Sequence, residues 1–183
     1  MRAALVVWPI RSYNRPRHVH ATRMSSIASD FQVSSVDLEP TSMSTESLLA
    51  RISDPRNWPE ASVHPPEADF PRLGIEFHPD VGYSILCHED ERSLGFLAAT
   101  QTATSAPEVP VCIGGQVVEK WPPELFLAEA AAATILDYFF VSGRQHPSFA
   151  WARLDHFERE LLHEGPGVYE FWKQLMAQSG PPA

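Results

Sequence analysis

Short apolar runs alternate with tight-turn signals between residues 73 and 120, and this pattern limits the possible folds more than any other feature of the chain. Each run is shorter than an average helix of about 11–12 residues. The residues between the runs include Gly, Pro, Asp and Ser, which favour turns, and short turns join antiparallel strands. The segment therefore predicts an antiparallel meander. Its predicted strands are residues 73–77, 83–87, 94–101, 109–113 and 116–120.

Helices are predicted before and after this meander. Ser44 is a suitable N-cap for the first, and Gly143 is a suitable C′ residue for a long Ala-rich helix. Asp155 with Glu158 resembles a capping box, and apolar residues recur at helical spacing after Gly167. The predicted helices are residues 44–53, 124–142, 155–164 and a terminal helix from Val168, with a last strand at 149–154. The predicted packed face of the terminal helix is Val168, Phe171, Trp172, Leu175 and Met176.

The order of these elements predicts the fold class. Strands follow strands, and the helices do not alternate with them as in βαβ units, so the class is α+β. We expect an antiparallel sheet of about five to six strands with helices packed mainly on one side. Residues 55–72 contain five prolines and are interpreted as an irregular crossing loop. Residues 43–183 are predicted to form a single domain.

The N-terminal segment differs from the rest of the chain. Five arginines and no acidic residue precede Met24, and residues 1–42 show no sustained hydrophobic period. Such a segment is expected to be disordered. It is either an Arg-rich transit peptide or upstream sequence translated from a start codon assigned too early, with Met24 and Met43 as alternative starts.

The charge of the chain bears on its partners. The formal net charge is −9, and removing the five early arginines leaves nine basic and 23 acidic residues, a net charge of −14. A body this acidic repels nucleic acid and attracts basic surfaces. Acidity also raises solubility, and composition alone does not separate these two interpretations.

The sequence carries no recognised catalytic or cofactor motif. It contains no phosphate loop, dinucleotide fingerprint or HExxH motif. Cys87 and Cys112 are expected to be buried thiols in a reducing cytoplasm, and the scattered histidines, His78 among them, are expected on the surface. The longest apolar stretch, residues 125–141, is interrupted by Glu129 and Asp137 and is not a membrane helix. We therefore predict a soluble, non-enzymatic protein without metal or cofactor.

Two features are candidate partner-binding sites. Glu89, Asp90 and Glu91 form a charged loop that a basic partner would contact; the alternative is a solvated hairpin tip. Trp121 stands beside two prolines, where an aromatic side chain makes a good interface anchor. The alternative for Trp121 is that it caps the end of the sheet.

The segment from Gly114 to Phe126, GGQVVEKWPPELF, is followed by an Ala-rich helix, by FFVSG ending at Gly143, and by Trp151. This succession resembles the C-terminal half of immunity protein family 1 of bacterial polymorphic toxin loci. The family pattern is a Gly-rich strand, a proline step before a helix, an aromatic-x-x-Gly helix end and a tryptophan on the closing strand. The resemblance covers about residues 43–160, and its motifs are structural rather than catalytic.

The resemblance implies a protein that binds and neutralises a cognate toxin in the cytoplasm of the producing cell. Such toxins are often nucleic-acid deaminases or nucleases with a basic cleft, and an acidic inhibitor would block that cleft. Two alternatives are a small adaptor subunit without a toxin and an enzyme with an unrecognised carboxylate site. A deep pocket with two convergent carboxylates would favour the enzyme.

Overall fold

The computed structural model describes residues 31–92, 95–100, 107–154 and 160–179. These residues form a seven-stranded and a three-stranded antiparallel sheet with three α-helices, which confirms the α+β class with more strands than expected. The strands are β1 Gln32–Ser35, β2 Leu38–Thr41, β3 Glu60–His64, β4 Arg72–His78, β5 Gly82–His88, β6 Phe96–Ala99, β7 Val109–Ile113, β8 Val117–Trp121, β9 Ala150–Arg153 and β10 Glu160–Glu164. The helices are α1 Thr45–Ser53, α2 Glu129–Ser142 and α3 Val168–Ser179, with a 3-10 helix at Pro123–Leu125.

The large sheet has the strand order β2-β1-β3-β4-β5-β6-β9. Its longest ladder joins β4 to β5, from the pair Arg72–His88 to the pair His78–Gly82. The connecting turn holds Asp80 at a φ of 67°, a left-handed conformation that Asp tolerates better than most residues. The predicted hairpin of residues 73–87 is therefore confirmed.

One face of the large sheet carries the main core. Alternate residues of β4, such as Leu73 and Ile75, are fully buried on this face because successive side chains of a strand point to opposite sides. Helices α1 and α2 cover them, with Ile135, Leu136 and Phe139 of α2 also fully buried. Helices therefore pack on one side of this sheet, as the sequence predicted.

The ends of the helices follow local chemistry. The hydroxyl of Ser44 accepts a hydrogen bond from the backbone N–H of Ser47 at 3.2 Å, which confirms the N-cap of α1. Gly143 ends α2 at a φ of 62° as predicted. The predicted start of α2 at residue 124 is wrong, because Leu127 exchanges two backbone hydrogen bonds with Tyr83 and is held extended.

The small sheet has the order β10-β8-β7 and lies against the second face of the large sheet. Val111 and Trp121 of the small sheet pack with Leu97 of β6 and with Phe126 in a second core cluster. Helix α3 packs on the small sheet through Trp172, among others. The predicted meander therefore divides after β6, and β7 and β8 leave the large sheet.

Three predictions about unstructured or helical segments are corrected. Residues 32–41, expected to be disordered, form β1 and β2, and Val33 is fully buried. Residues 60–64, expected to be loop, form β3 between β1 and β4 because Ala61 and Val63 alternate with polar residues toward the core. Residues 160–164, expected to be helical, pair with β8 as β10.

Some expectations fall on residues outside the described ranges. They are the leader up to residue 30, the two ends of the predicted third strand at residues 94 and 101, and the capping-box segment 155–159. Within the described ranges, no helix is long and apolar enough to cross a membrane.

Candidate functional site

A cavity of about 460 Å³ opens where the two sheets, the end of α1 and helix α3 meet. The large sheet contributes the C-terminal end of β4, and the small sheet contributes β7 and the turn that follows it. The residues that define its chemistry are Glu76, His78, Cys112, Trp58, Tyr169 and Trp172.

Strand alternation places the acidic group of this cavity. In β4, Leu73 and Ile75 point to the helices, so Glu76 and His78 lie on the second face. An antiparallel sheet often leaves its second face to solvent. Here the small sheet covers that face, and only 14% of the Glu76 side chain and 3% of the His78 side chain remain exposed.

Glu76 is held as a largely desolvated carboxyl group. Its Oε1 accepts a hydrogen bond of 3.2 Å from the backbone N–H of Gly114. Burial raises the pKa of Glu76 from 4.5 to about 8, and the negative charge of Glu60, its cross-strand partner, adds to the rise. Glu76 is therefore mainly protonated at neutral pH.

His78 is buried in its neutral form. Burial lowers its pKa from 6.5 to about 4. Its Nε2 lies 3.0 Å from the hydroxyl oxygen of Ser84 and 3.9 Å from Oε2 of Glu76. Both groups face the same ring nitrogen, whereas a Ser-His-acid relay needs the acid on the opposite nitrogen. This arrangement is not a catalytic triad.

Two further polar groups line the cavity. Cys112 is a buried thiol as predicted, and burial raises its pKa. Asp54 is bound by the Arg56 guanidinium, with Nε at 2.9 Å and Nη2 at 2.6 Å from its two oxygens. That contact lowers the pKa of Asp54 to about 2. Asp54 is therefore ionised and already paired, unlike Glu76.

Aromatic side chains form another part of the cavity lining. Tyr169 and Trp172 on α3 stack with ring centroids 5.6 Å apart and an interplanar angle of 30°. Trp172 Nε1 donates to the carbonyl oxygen of Pro110 at 3.4 Å, which ties α3 to β7. Trp58 enters from the α1 side, and its buried Nε1–H has no hydrogen-bond partner among the described residues.

The acidic residues predicted to bind a partner lie elsewhere. Glu89, Asp90 and Glu91 are exposed in the connection that follows β5. The backbone N–H of Arg92 donates to Asp90 Oδ1 at 2.8 Å, which orders the turn. Arg92 Nε is 4.0 Å from Glu91 Oε1 with both side chains largely exposed, a pair that contributes little to stability.

The tryptophan predicted as an interface anchor is an internal residue. Only 5% of Trp121 is exposed, and its ring packs with Phe126 and other residues of the second core cluster. Its Nε1 donates to Glu119 Oε2 at 2.8 Å. This position corresponds to the alternative interpretation, that Trp121 caps the sheet end, and leaves a partner little of the ring to contact.

Glu76 and His78 could not be identified as cavity residues from the sequence, because polar residues at alternate positions of a strand are typical of a solvated face. One signal pointed to a covered face. Strand β7 is apolar at nearly every position, which is typical of a strand buried on both sides.

Within the described ranges, no group of three or more His, Cys, Asp or Glu side chains is arranged to hold a metal ion.

Comparisons of this chain with models of known protein families, with curated proteins and with solved structures find no match.

Proposed function

We propose that this protein binds and neutralises a cognate toxin with a basic, nucleic-acid-binding cleft, as the resemblance to immunity protein family 1 implies. It acts in the cytoplasm of the producing cell, without catalysis of its own. The observation that carries the proposal is a set of exposed acidic side chains at one end of the large sheet.

This set comes from two connections that the strand register brings to the same end. Val63 pairs with Leu73 and Arg72 pairs with His88, so the connections after β3 and after β5 leave the sheet at one end. We call this surface the acidic end. It consists of the exposed residues Glu67, Asp69, Glu89, Asp90 and Glu91.

A surface of this kind suits a basic cleft. Complementary charges steer two proteins together and raise the association rate, most strongly at low salt. The Debye length is about 8 Å at physiological ionic strength, so exposed carboxylates attract a partner only over short distances there. Arg72 and Arg92 lie at the same end and offset part of the negative charge. This favours a partner surface on which basic and acidic groups alternate over one that is uniformly basic.

Co-expression with the product of the neighbouring gene tests the proposal. We expect the two proteins to co-purify and the toxin activity to be lost in the complex. Co-purification without inhibition would instead make this chain an adaptor subunit. If the two proteins do not associate at low salt, the proposed function is wrong.

A further inference from the structure

We propose that the cavity between the two sheets binds an organic cation, an ammonium or guanidinium group, seated between Glu76 and the aromatic side chains of α3. This site is distinct from the acidic end and does not depend on a toxin partner. A cavity of about 460 Å³ falls within the range of about 300–1,000 Å³ typical of small-molecule sites.

The acceptor for the cation is Glu76 Oε2. The other oxygen of this carboxyl group is bonded to Gly114, whereas Oε2 accepts no hydrogen bond from the described residues. Its neighbour His78 Nε2 is 3.9 Å away, beyond hydrogen-bond distance. A carboxyl oxygen that borders a cavity without a partner is the group that an N–H donor from a ligand would satisfy.

The aromatic wall suits a cation. Positive groups are attracted to the faces of Trp and Tyr rings within about 6 Å of the ring centroid. Helix α3 already contains such a contact, because Lys173 Nζ lies 4.7 Å from the centroid of Tyr169. Trp172 and Trp58 add two more rings to the lining.

Binding of a cation is coupled to release of a proton. Burial keeps Glu76 protonated at neutral pH when no ligand is bound. A bound cation favours the ionised form, so the O–H bond of the carboxyl group breaks and its proton passes to the buffer. The other titratable and charged groups around the cavity are Glu60 on β3, His78 on β4, Cys112 on β7, Tyr169 on α3 with Lys173 over its ring, and the pair Asp54–Arg56 after α1.

The direction in which affinity changes with pH distinguishes a cationic ligand from a neutral one. A neutral ligand would accept a hydrogen bond from protonated Glu76 and would bind less well as the pH rises above 8. A cation binds better as the pH rises through about 8, because the cost of removing the proton disappears. The net charge of −9 adds a general attraction for cations.

The test is a calorimetric and tryptophan-fluorescence titration of the full chain with N-acetyl-arginine amide, and with N-acetyl-citrulline amide as the uncharged isostere. We expect the arginine derivative alone to bind. At pH 7 its apparent binding enthalpy should vary with the ionisation enthalpy of the buffer, and its affinity should rise between pH 7 and 9. Equal binding of citrulline, or no binding of arginine, would overturn the proposal.

Two variants assign the binding to this cavity. Glu76→Gln keeps the size of the side chain and removes the charge, so binding should weaken by about tenfold or more and proton release should vanish. Glu39→Gln removes the same charge from an exposed position of β2 and should change neither. Tyr169→Ala acts on a residue that is 53% exposed, so it tests the aromatic wall without emptying the core. If Glu76→Gln and Tyr169→Ala both leave the affinity for the arginine derivative unchanged, the cation does not bind in this cavity.

Two further probes distinguish a free small-molecule cation from a basic side chain of a polypeptide. Agmatine represents a free amine, and a capped Gly-Gly-Arg-Gly-Gly peptide represents a basic side chain of a polypeptide. A site open to a protein partner should bind the peptide at least as tightly as agmatine. A site for a small metabolite should bind agmatine and exclude the peptide main chain.

Discussion

Glu76 Oε1 on β4 accepts a 3.2 Å hydrogen bond from the backbone N–H of Gly114, a residue 38 positions later in the turn between β7 and β8. This bond joins the large sheet to the small one at the mouth of the cavity. It also fixes one carboxyl oxygen, while the other belongs to a side chain that lines the cavity.

The first prediction concerns pH and stability. The folded protein holds the proton of Glu76 from pH 4.5 to about 8, whereas the unfolded chain releases it near 4.5. Stability falls with pH wherever the folded state binds more protons, so this contribution is complete below pH 4.5 and is lost by about pH 8. The lowered pKa of His78 has the opposite effect, because it makes stability rise with pH between 4 and 6.5. Of these two groups, only Glu76 therefore acts between pH 6.5 and 8.

We expect the free energy of unfolding to fall between pH 6.5 and 8 by up to about 1.4 kcal/mol per pH unit. In Glu76→Gln this fall should disappear. Urea unfolding at several pH values measures it, with Glu67→Gln as the control that keeps the wild-type slope. A slope that is the same in Glu76→Gln as in the wild type would show that Glu76 is ionised in the folded protein.

The second prediction concerns the strands that the sequence analysis placed in a disordered leader. Val33 is fully buried in β1, and Phe31 packs on Phe139 with ring centroids 5.2 Å apart. A chain that starts at residue 43 should therefore lose much of its stability, because it exposes this part of the core and a new edge at β3. A chain that starts at residue 31 retains these contacts and should be the more stable of the two. Thermal unfolding of the two chains separates these outcomes.

The third prediction concerns the docking of α3. Trp172 is 8% exposed and packs with Cys112 and Val118 of the small sheet. Trp172→Ala should destabilise the fold by about 3–5 kcal/mol, as other large-to-small core changes do. Gln174→Ala changes an exposed position on the same helix and should stay within about 0.5 kcal/mol of the wild type. Equal stability of the two variants, measured by urea unfolding, would mean that α3 is not docked in solution.

The fourth prediction concerns the acidic end. Reversal of Glu89, Asp90 and Glu91 to Lys should slow association with the toxin and flatten its dependence on salt, while the fold stays intact. The measurement is stopped-flow association at two salt concentrations. The control is a second triple reversal, at three exposed carboxylates that lie in different parts of the fold. It changes the net charge by the same amount. Its residues are Glu39, Glu108 and Glu164.

An equal slowing in both triple variants would show that the net charge of the protein, and not the acidic end, attracts the partner. A rate that changes in neither variant and does not depend on salt would show that an apolar or shape-matched surface makes the contact. Circular dichroism of each variant confirms that the loss is not due to unfolding.

The elements that the sequence analysis located correctly are those with local causes. The β4–β5 hairpin follows from alternating apolar residues on either side of a turn, and the end of α2 follows from the left-handed Gly143. The errors have non-local causes. Residues 32–41 and 60–64 are short and lie in polar, Pro-rich surroundings. Residues 60–64 become β3 because the edge of β4 offers them hydrogen-bond partners. Residues 32–41 become β1 and β2 because β3 then offers an edge to β1, and β1 offers one to β2. Leu127 is extended because Tyr83 pairs with it.

Periodicity, caps and turns act over a few residues, so they are enough to predict the α+β class, the main strands and the buried faces of the helices. The sequence also predicts that residues 89–91 form an acidic connection. In contrast, long-range packing sets the position of β7 and β8, which leave the meander and cover the second face of β4. That choice converts Glu76 and His78 from solvent-facing polar residues into buried groups with shifted pKa values. The physical reason is that burial depends on which distant element covers a face, and the spacing of residues within β4 carries no information about that element.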